Sequence, residues 1–297
     1  MPQISDRMVP VIRNNLKRMS ASAVNEPIAR ERLLQDFVGT IMQGTAVRSV
    51  LATDAPFPGF NGSMMSTESL DTEGVVMYIH GGGYCCGDLA YAKGYGRILA
   101  AETGSRVFCP AYRLAPEYPS PAALQDVFYS YTYLTKIFDP RKMVLIGESA
   151  GGGLLYCLCL ALKEAGLPLP AGLIAISPWT DLTQSGDSYR ENRSVDPSMT
   201  KELLDKFVSF YTKTPKDPKC SPLFGDLSGL PESLLFVGGD EVMRDDAVRM
   251  HKALQDAGCK STLTIAPGMW HGYVLYGLKE RSADADVIRE FIRSIVK

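Results

Sequence analysis

Six short apolar segments rich in β-formers recur along the 297-residue chain, and each has strand length and ends near Gly, Pro or a polar turn. They are residues 75–80, 106–112, 143–148, 172–178, 233–239 and 261–268. Helical patterns lie between several of them, at residues 121–138, 150–165 and 245–257. Strands that alternate with helices predict an α/β fold with a parallel sheet, in which ligands bind beyond the carboxyl ends of the strands.

The charge pattern limits the partners that the chain is expected to have. The formal net charge is −2, and Lys and Arg are scattered without a basic block, so neither nucleic acid nor a membrane surface is an expected partner. The longest strongly apolar stretch, residues 154–162, is too short to span a membrane, and residues 1–20 lack the apolar core of a signal peptide. We therefore expect a cytoplasmic protein with a small-molecule partner.

The seven cysteines form an odd set without a repeated spacing, which predicts free thiols in a reducing compartment. The chain has no CxxC or HExxH pattern that would supply zinc ligands. We expect no metal and no cofactor.

A GxSxG pattern at residues 147–151 lies where a predicted strand gives way to a predicted helix. A tight turn at this place would push Ser149 out of the sheet, and small neighbours would prevent a clash between the turn and the adjacent strands. The pattern alone is a weak signal, because such a turn can be glycine-rich for packing reasons only. A phosphate loop would need a GK[ST] ending or a GxGxxG at the first strand, and neither is present.

A serine hydroxyl needs a base, and histidine is the usual one because its pKa lies near neutrality. Of the three histidines, His271 follows the last predicted strand and is the predicted base. His251 lies beside the apolar stripe of a predicted helix, which indicates a structural role.

The acid that orients the base is expected after a strand and between serine and histidine in chain order, and Asp240 meets both conditions. Glu241 lies one residue further along. Asp245 and Asp246 are expected to cap the next helix. Asp240 is the predicted acid.

A glycine triplet follows His80, and its unobstructed N–H groups predict an oxyanion hole made by Gly82 and Gly83 together with Ala150. His80 and Gly81 are expected to support this loop. Without the GxSxG pattern, a plain glycine turn would be the better interpretation.

Three bulky or charged residues adjoin the predicted site. Glu148 is expected to hold a neighbouring loop by a hydrogen bond. Tyr84, directly after the glycine triplet, and Trp270, directly before His271, would either contact substrate or pack in the core.

Together these motifs resemble the hormone-sensitive-lipase-like branch of the α/β hydrolases, a bacterial esterase family, from about Gly74 to the C-terminus. The matching segments are residues 80–83, 112–117, 147–152 and 177–182, Asp240 with Asp245, and His271 with Gly272. The resemblance implies a mostly parallel eight-stranded sheet flanked by helices, with a helical cap. It also implies the triad Ser149, Asp240 and His271, and it allows a homodimer. The departure from the pattern is Glu148, where Asp or Thr is more usual.

Residues 1–50 and 181–219 would form the cap, and residues 51–180 and 220–297 the catalytic domain. The alternative is that the two outer segments are surface appendages far from the site. Both are short and rich in charge, which predicts a small pocket, no extended apolar surface and a substrate dissolved in water. The predicted activity is hydrolysis of short- to medium-chain carboxylic esters through an acyl-serine intermediate. A lactonase or amidase with the same triad and a non-catalytic ligand receptor are the alternatives.

Overall fold

The computed structural model describes residues 4–45, 50–68 and 72–297, and of residues 43–45 only the backbone. Within the predicted cap segment 1–50, residues 1–3 and 46–49 therefore lie outside the described part. Eight strands form one sheet in the described ranges, in the order β1-β2-β4-β3-β5-β6-β7-β8. Their bounds are β1 Val50–Phe57, β2 Phe60–Thr67, β3 Val75–Ile79, β4 Arg106–Ala111, β5 Met143–Glu148, β6 Gly172–Ile176, β7 Glu232–Gly238 and β8 Ser261–Ala266.

The sheet is mostly parallel, as predicted. The pairs β1–β2 and β2–β4 are antiparallel, and all other neighbours are parallel. The six strands predicted from the sequence are all present, shifted by at most two residues at their ends. Strands β3, β5 and β6 are buried along their whole length, because helices cover both faces of the sheet.

Helices flank the sheet and cross its carboxyl edge. Their bounds are α1 Val9–Ala23, α2 Ile28–Thr45, α3 Leu89–Thr103, α4 Ala122–Leu134, α5 Ala150–Glu164, α6 Ser188–Glu191, α7 Lys201–Tyr211, α8 Arg244–Asp256 and α9 Ser282–Val296. The predicted helices correspond to α4, α5 and α8. No helix within residues 4–45, 50–68 and 72–297 is long and apolar enough to cross a membrane.

The two outer segments contact each other and the loops at the carboxyl edge. Ser20 Oγ of α1 donates a hydrogen bond to Pro197 O at 3.0 Å, and Lys206 Nζ of α7 donates one to Glu26 O at 2.6 Å. Arg32 Nε of α2 donates one to Cys85 O, in the loop after β3, at 2.7 Å. These segments therefore lie beside the predicted site.

Helix α2 carries an exposed apolar surface that the sequence analysis did not predict. The side chains of Leu33, Phe37 and Ile41 are 72%, 63% and 52% exposed, and Leu34 and Val38 beside them are also exposed. These residues recur at intervals of three and four, so they share one side of the helix. The expectation that the outer segments offer no extended apolar surface is wrong for α2.

Candidate active site

Ser149 lies on the turn between β5 and α5, with φ 56° and ψ −123°. A non-glycine residue with positive φ is strained, and such strain is typical of a functional turn. The backbone of Ser149 is fixed on both sides, because its N–H donates to Ile176 O of β6 and its carbonyl accepts from the N–H of Trp179, each at 2.9 Å. The serine is thereby attached to the segment that follows β6.

The glycines around Ser149 permit close backbone packing. A Cβ added at Gly147 would lie 2.4 Å from Gly151 O, and one added at Gly151 would lie 2.1 Å from Ile79 O, at the end of β3. Helix α5 could not approach the sheet with larger residues at these two positions. The predicted steric reason for the small neighbours is confirmed.

Glu148 supports the glycine loop, as the sequence analysis predicted. Its buried Oε1 accepts hydrogen bonds from the N–H of Gly81 at 2.6 Å and from the hydroxyl of Tyr91 on α3 at 3.0 Å. Burial raises the pKa of this carboxyl to about 7, although the hydrogen bonds from Gly81 and Tyr91 oppose the rise. The first glycine of the triplet is thus tied to the residue before the serine.

His80 also supports the glycine loop. Its buried ring stacks on Tyr112 with 4.3 Å between ring centroids, and its Nδ1 lies 2.8 Å from Gly81 O. Burial lowers the pKa of His80 to about 4, so the ring is neutral at neutral pH. This environment fits loop support rather than proton transfer.

Gly82 and Gly83 have φ 114° and 61° and therefore adopt backbone conformations that side chains disfavour. Within the described part of the chain their N–H groups donate no hydrogen bond. Ala150 is the first residue of α5, so its N–H has no acceptor within the helix. Free N–H groups beside a helix N-terminus are suited to stabilise an oxyanion.

The carboxylate that faces His271 belongs to Glu241. His271 Nδ1 lies 2.9 Å from Glu241 Oε2. The other oxygen of the fully buried carboxylate accepts hydrogen bonds from the N–H of Gly238 at 2.5 Å and from Ser177 Oγ at 2.6 Å. The prediction that Asp240 orients the base is therefore wrong, and Glu241 holds that place.

Asp240 turns away from the histidine. Its Oδ2 lies 2.6 Å from Arg13 Nη2 of α1, in a partly exposed ion pair. The longer side chain of Glu241 folds back over the turn after β7 and reaches the N–H of Gly238, which directs its carboxylate inward. Two consecutive carboxylates thus point in different directions. Asp245 and Asp246 lie in the first turn of α8.

Ser177 joins the loop of Glu241 to the loop of His271. Its buried Oγ donates to Glu241 Oε1 at 2.6 Å and accepts from the N–H of Gly272, the residue after His271, at 2.9 Å. The sequence analysis included Ser177 only as part of a motif. Its place directly after β6, at the carboxyl edge of the sheet, was the signal that pointed to a role in the site.

The surroundings of His271 suit a base. Burial lowers the pKa of His271, but the hydrogen bond and the negative charge of Glu241 outweigh burial, so the pKa lies above its ordinary value. The same hydrogen bond fixes the ring orientation and leaves Nε2 to accept a proton.

The remaining predicted residues have structural contacts. Tyr84 and Trp270 are fully buried; Tyr84 stacks on Tyr211 at 3.9 Å between ring centroids, and Trp270 meets Tyr276 edge to face at 5.6 Å. These contacts support the interpretation that both rings pack in the core. His251 Nδ1 lies 2.8 Å from Ser261 Oγ and links α8 to β8.

All seven cysteines are free thiols. Across the described ranges, no group of three or more His, Cys, Asp and Glu side chains is arranged to hold a metal ion.

Comparison with known proteins identifies the family. A family model described as the alpha/beta hydrolase fold matches residues 76–275. A crystal structure of an esterase from the bacterial hormone-sensitive lipase family superposes with a TM-score of 0.88 at 31% identity, over 98% of both chains. The chain belongs to this family. This confirms the resemblance in the sequence analysis.

Relatives of the enzyme are named as ester hydrolases. An esterase of Acinetobacter venetianus is 33% identical over 244 residues, which cover 80% of each chain. An acetyl-hydrolase of Streptomyces hygroscopicus is 34% identical over 226 residues, which cover 74% of this chain and 75% of the relative. This member of the hormone-sensitive-lipase family is a carboxylesterase, and the ligand-receptor alternative is not supported.

Proposed function

We propose that this carboxylesterase hydrolyses short- to medium-chain esters with Ser149 as nucleophile, His271 as base and Glu241 as the acid that orients the base. The observation that carries the assignment is the 2.9 Å contact between His271 Nδ1 and Glu241 Oε2. Ser177 supports it, because Ser177 bonds to the acid and to the residue after the base. Ile176, directly before Ser177, accepts the N–H of Ser149.

The reaction then has two halves. Ser149 Oγ attacks the ester carbonyl carbon while His271 takes its proton, and the N–H groups of Gly82, Gly83 and Ala150 stabilise the oxyanion. His271 returns the proton to the leaving alcohol, which leaves an acyl-serine. His271 next deprotonates a water that attacks the acyl carbon, and the acid is released as Ser149 recovers its proton. Glu241 stabilises the imidazolium in both halves.

The preference for small acyl groups rests on the helix that lies above the oxyanion loop. A Cβ added at Gly83 would lie 2.3 Å from the ring of Phe207 on α7, so this helix sits directly on the loop. A solved structure that supports the proposal is the esterase EstE5 soaked with p-nitrophenyl butyrate, with a TM-score of 0.86, 29% identity and coverage of 96% of this chain and 97% of that one. The sequence analysis inferred a substrate dissolved in water from the lack of an extended apolar surface. The exposed apolar side of α2 removes that argument.

A series of p-nitrophenyl esters from acetate to palmitate tests the substrate class. We expect the highest kcat/KM for acyl chains of about two to eight carbons, because a longer chain cannot be buried without displacing the cap. Ser149→Ala, the matched control, should lose both turnover and labelling by an organophosphate while its circular dichroism stays unchanged. Preference for emulsified long-chain triglyceride over dissolved butyrate ester would refute the size limit, and labelling of the variant would refute the nucleophile.

The closest competing activity is lactone or amide hydrolysis by the same residues. Amides with the same acyl group as the preferred ester separate the two, because an amine is a poorer leaving group than an aryl alcohol. The free thiols support the proposal of a cytoplasmic setting. The homodimer that the family resemblance suggests stays a prediction.

A further inference from the structure

Residues 192–198, which belong to the predicted cap segment 181–219, lie across the loop that carries Glu241. Asn192 Nδ2 donates hydrogen bonds to the carbonyl of Gly239 at 3.1 Å and to that of Glu241 at 2.8 Å. Asp196 Oδ2 accepts the N–H of Val242 at 2.8 Å. The backbone is therefore held on both sides of the Glu241 side chain.

The same segment also holds the backbone of the base. Ser198 Oγ accepts the N–H of His271 at 3.2 Å and donates to Asp196 Oδ1 at 2.7 Å. Asp196 is buried. One buried carboxylate thus connects the residue after Glu241 with the N–H of His271.

Helix α1 fixes this segment from outside. The guanidinium of Arg13 donates to Gly268 O at 3.1 Å, to Val195 O at 2.8 Å and to Asp240 Oδ2 at 2.6 Å. Gly268 lies on the loop of His271, Val195 in the segment 192–198, and Asp240 directly before Glu241. A single side chain of the N-terminal helix therefore joins all three.

We propose that Arg13, Asn192, Asp196 and Ser198 form a clamp that sets the separation of the Glu241 and His271 loops, with Asp240 as the anchor of Arg13. The proposal rests on the proposed triad. The two loops follow neighbouring strands, β7 and β8, and the acid and the base come from one loop each. Their hydrogen bond lasts only while the loops keep their distance, and a misplacement of about 1 Å can lower turnover about a hundredfold.

The clamp residues are positioning residues, so the test needs a readout that a merely structural role would not change. Loss of structural support alone lowers the melting temperature and leaves the catalytic pH dependence of the folded enzyme unchanged. Loss of positioning weakens the contact between Glu241 and His271. The midpoint of the acidic limb of kcat then moves to lower pH, because Glu241 raises the pKa of His271 more than the charges of Asp196 and Glu148 do.

The experiment compares Arg13→Gln and Ser198→Ala with the control Arg30→Gln. Arg30 of α2 pairs with Glu26, and among the described residues its side chain makes no hydrogen bond or ion pair to the two loops. We expect Arg13→Gln to lower kcat about tenfold with KM within about twofold, and to shift the acidic limb downward. The control should keep wild-type kcat and pH dependence. Arg13→Gln combined with Asp240→Asn should be no slower than the slower single variant, because Arg13→Gln already removes the ion pair that Asp240→Asn would weaken.

Wild-type kcat and an unmoved acidic limb in both Arg13→Gln and Ser198→Ala would overturn the proposal, whatever their melting temperatures. If Arg13→Gln does not fold, the kcat and pH dependence of Ser198→Ala decide the test, because this variant loses only one hydroxyl and should still fold. Failure of the triad assignment would look different. It would show as turnover that persists in His271→Ala or Glu241→Gln.

Discussion

Glu241 Oε2 lies 2.9 Å from His271 Nδ1, and Glu241 Oε1 is held by the N–H of Gly238 and the hydroxyl of Ser177. Both oxygens of the buried carboxylate are therefore occupied as acceptors, which leaves it one orientation. The neighbouring carboxylate, Asp240, accepts from Arg13 instead. The two adjacent acids have separate partners, so their removal should have separate effects.

Glu241→Gln should lower kcat by about 10⁴-fold, while Asp240→Asn should lower it by about tenfold at most. An amide nitrogen in place of Oε2 cannot accept the Nδ1 proton, so the imidazole loses the tautomer that leaves Nε2 free. Turnover of p-nitrophenyl butyrate by the two purified variants, with folding checked by circular dichroism, is the measurement. A larger loss in Asp240→Asn than in Glu241→Gln would restore Asp240 as the acid.

The pH dependence of the enzyme should follow His271. The base must be neutral to take the serine proton, and its pKa is raised, so kcat/KM should rise with a midpoint above the value of about 6.5 for an unperturbed histidine. Removal of Glu241 removes the two largest causes that raise the pKa of His271, leaves the smaller effects of Asp196 and Glu148, and leaves burial, which lowers it. The midpoint should therefore fall in Glu241→Gln.

NMR titration of the three histidines measures this shift without turnover. The comparison is between Ser149→Ala and the double variant Ser149→Ala/Glu241→Gln, with His271→Ala to assign the signal. A His271 midpoint that stays in place or moves upward in the double variant would contradict the assigned pair.

Glu148 offers a test of the support beneath the oxyanion loop. Glu148→Ala removes the acceptor of the Gly81 N–H and leaves that donor buried without a partner, so kcat should fall about tenfold or more. Glu148→Gln keeps an acceptor oxygen at the same position and should stay within about threefold of wild type. Equal losses in the two variants would show that the hydrogen bond to Gly81 does not support catalysis.

The same pair of variants reports on stability. The folded-state pKa of Glu148, about 7, lies above the usual value of a carboxyl, so its contribution to stability is present at low pH and is lost as pH rises through about 7. Glu148→Gln cannot titrate. Its melting temperature should therefore fall less than that of wild type between about pH 4.5 and pH 7.

The sequence predicts the parallel part of the fold well because buried strands there are continuous apolar runs. Strands β1 and β2 do not show this signal: β1 contains Asp54 and Pro56, and β2 is half polar.

Helix α3 was not predicted because it carries Gly94 and Gly96, and glycines usually weaken a helix. In the structure both allow close packing, against Gly39 and against Cys109 respectively. Helix α9 could have been predicted from the spacing of four between Ile288, Ile292 and Val296, all of which are buried.

The proposed nucleophile, the proposed base and the glycine loop follow from motifs whose position after a strand fixes their direction. The acid does not, because Asp240 and Glu241 satisfy the same order and follow the same strand. Which of them faces His271 depends on the turn after Gly238 and on the contact with Arg13, more than two hundred residues away in the chain. Distant partners of this kind leave no local pattern.

Gly147 and Gly151 owe their identity to the approach of α5 to the sheet, since a Cβ at Gly151 would meet the carbonyl of Ile79. That demand would persist in a descendant that had lost its histidine, for as long as the helix packed in the same place. The glycines of the motif are therefore required by backbone packing, and they would be retained in a homologue that had lost catalytic activity. To separate active esterases from inactive proteins with this fold, the residues that face position 271 are therefore more informative than the glycines.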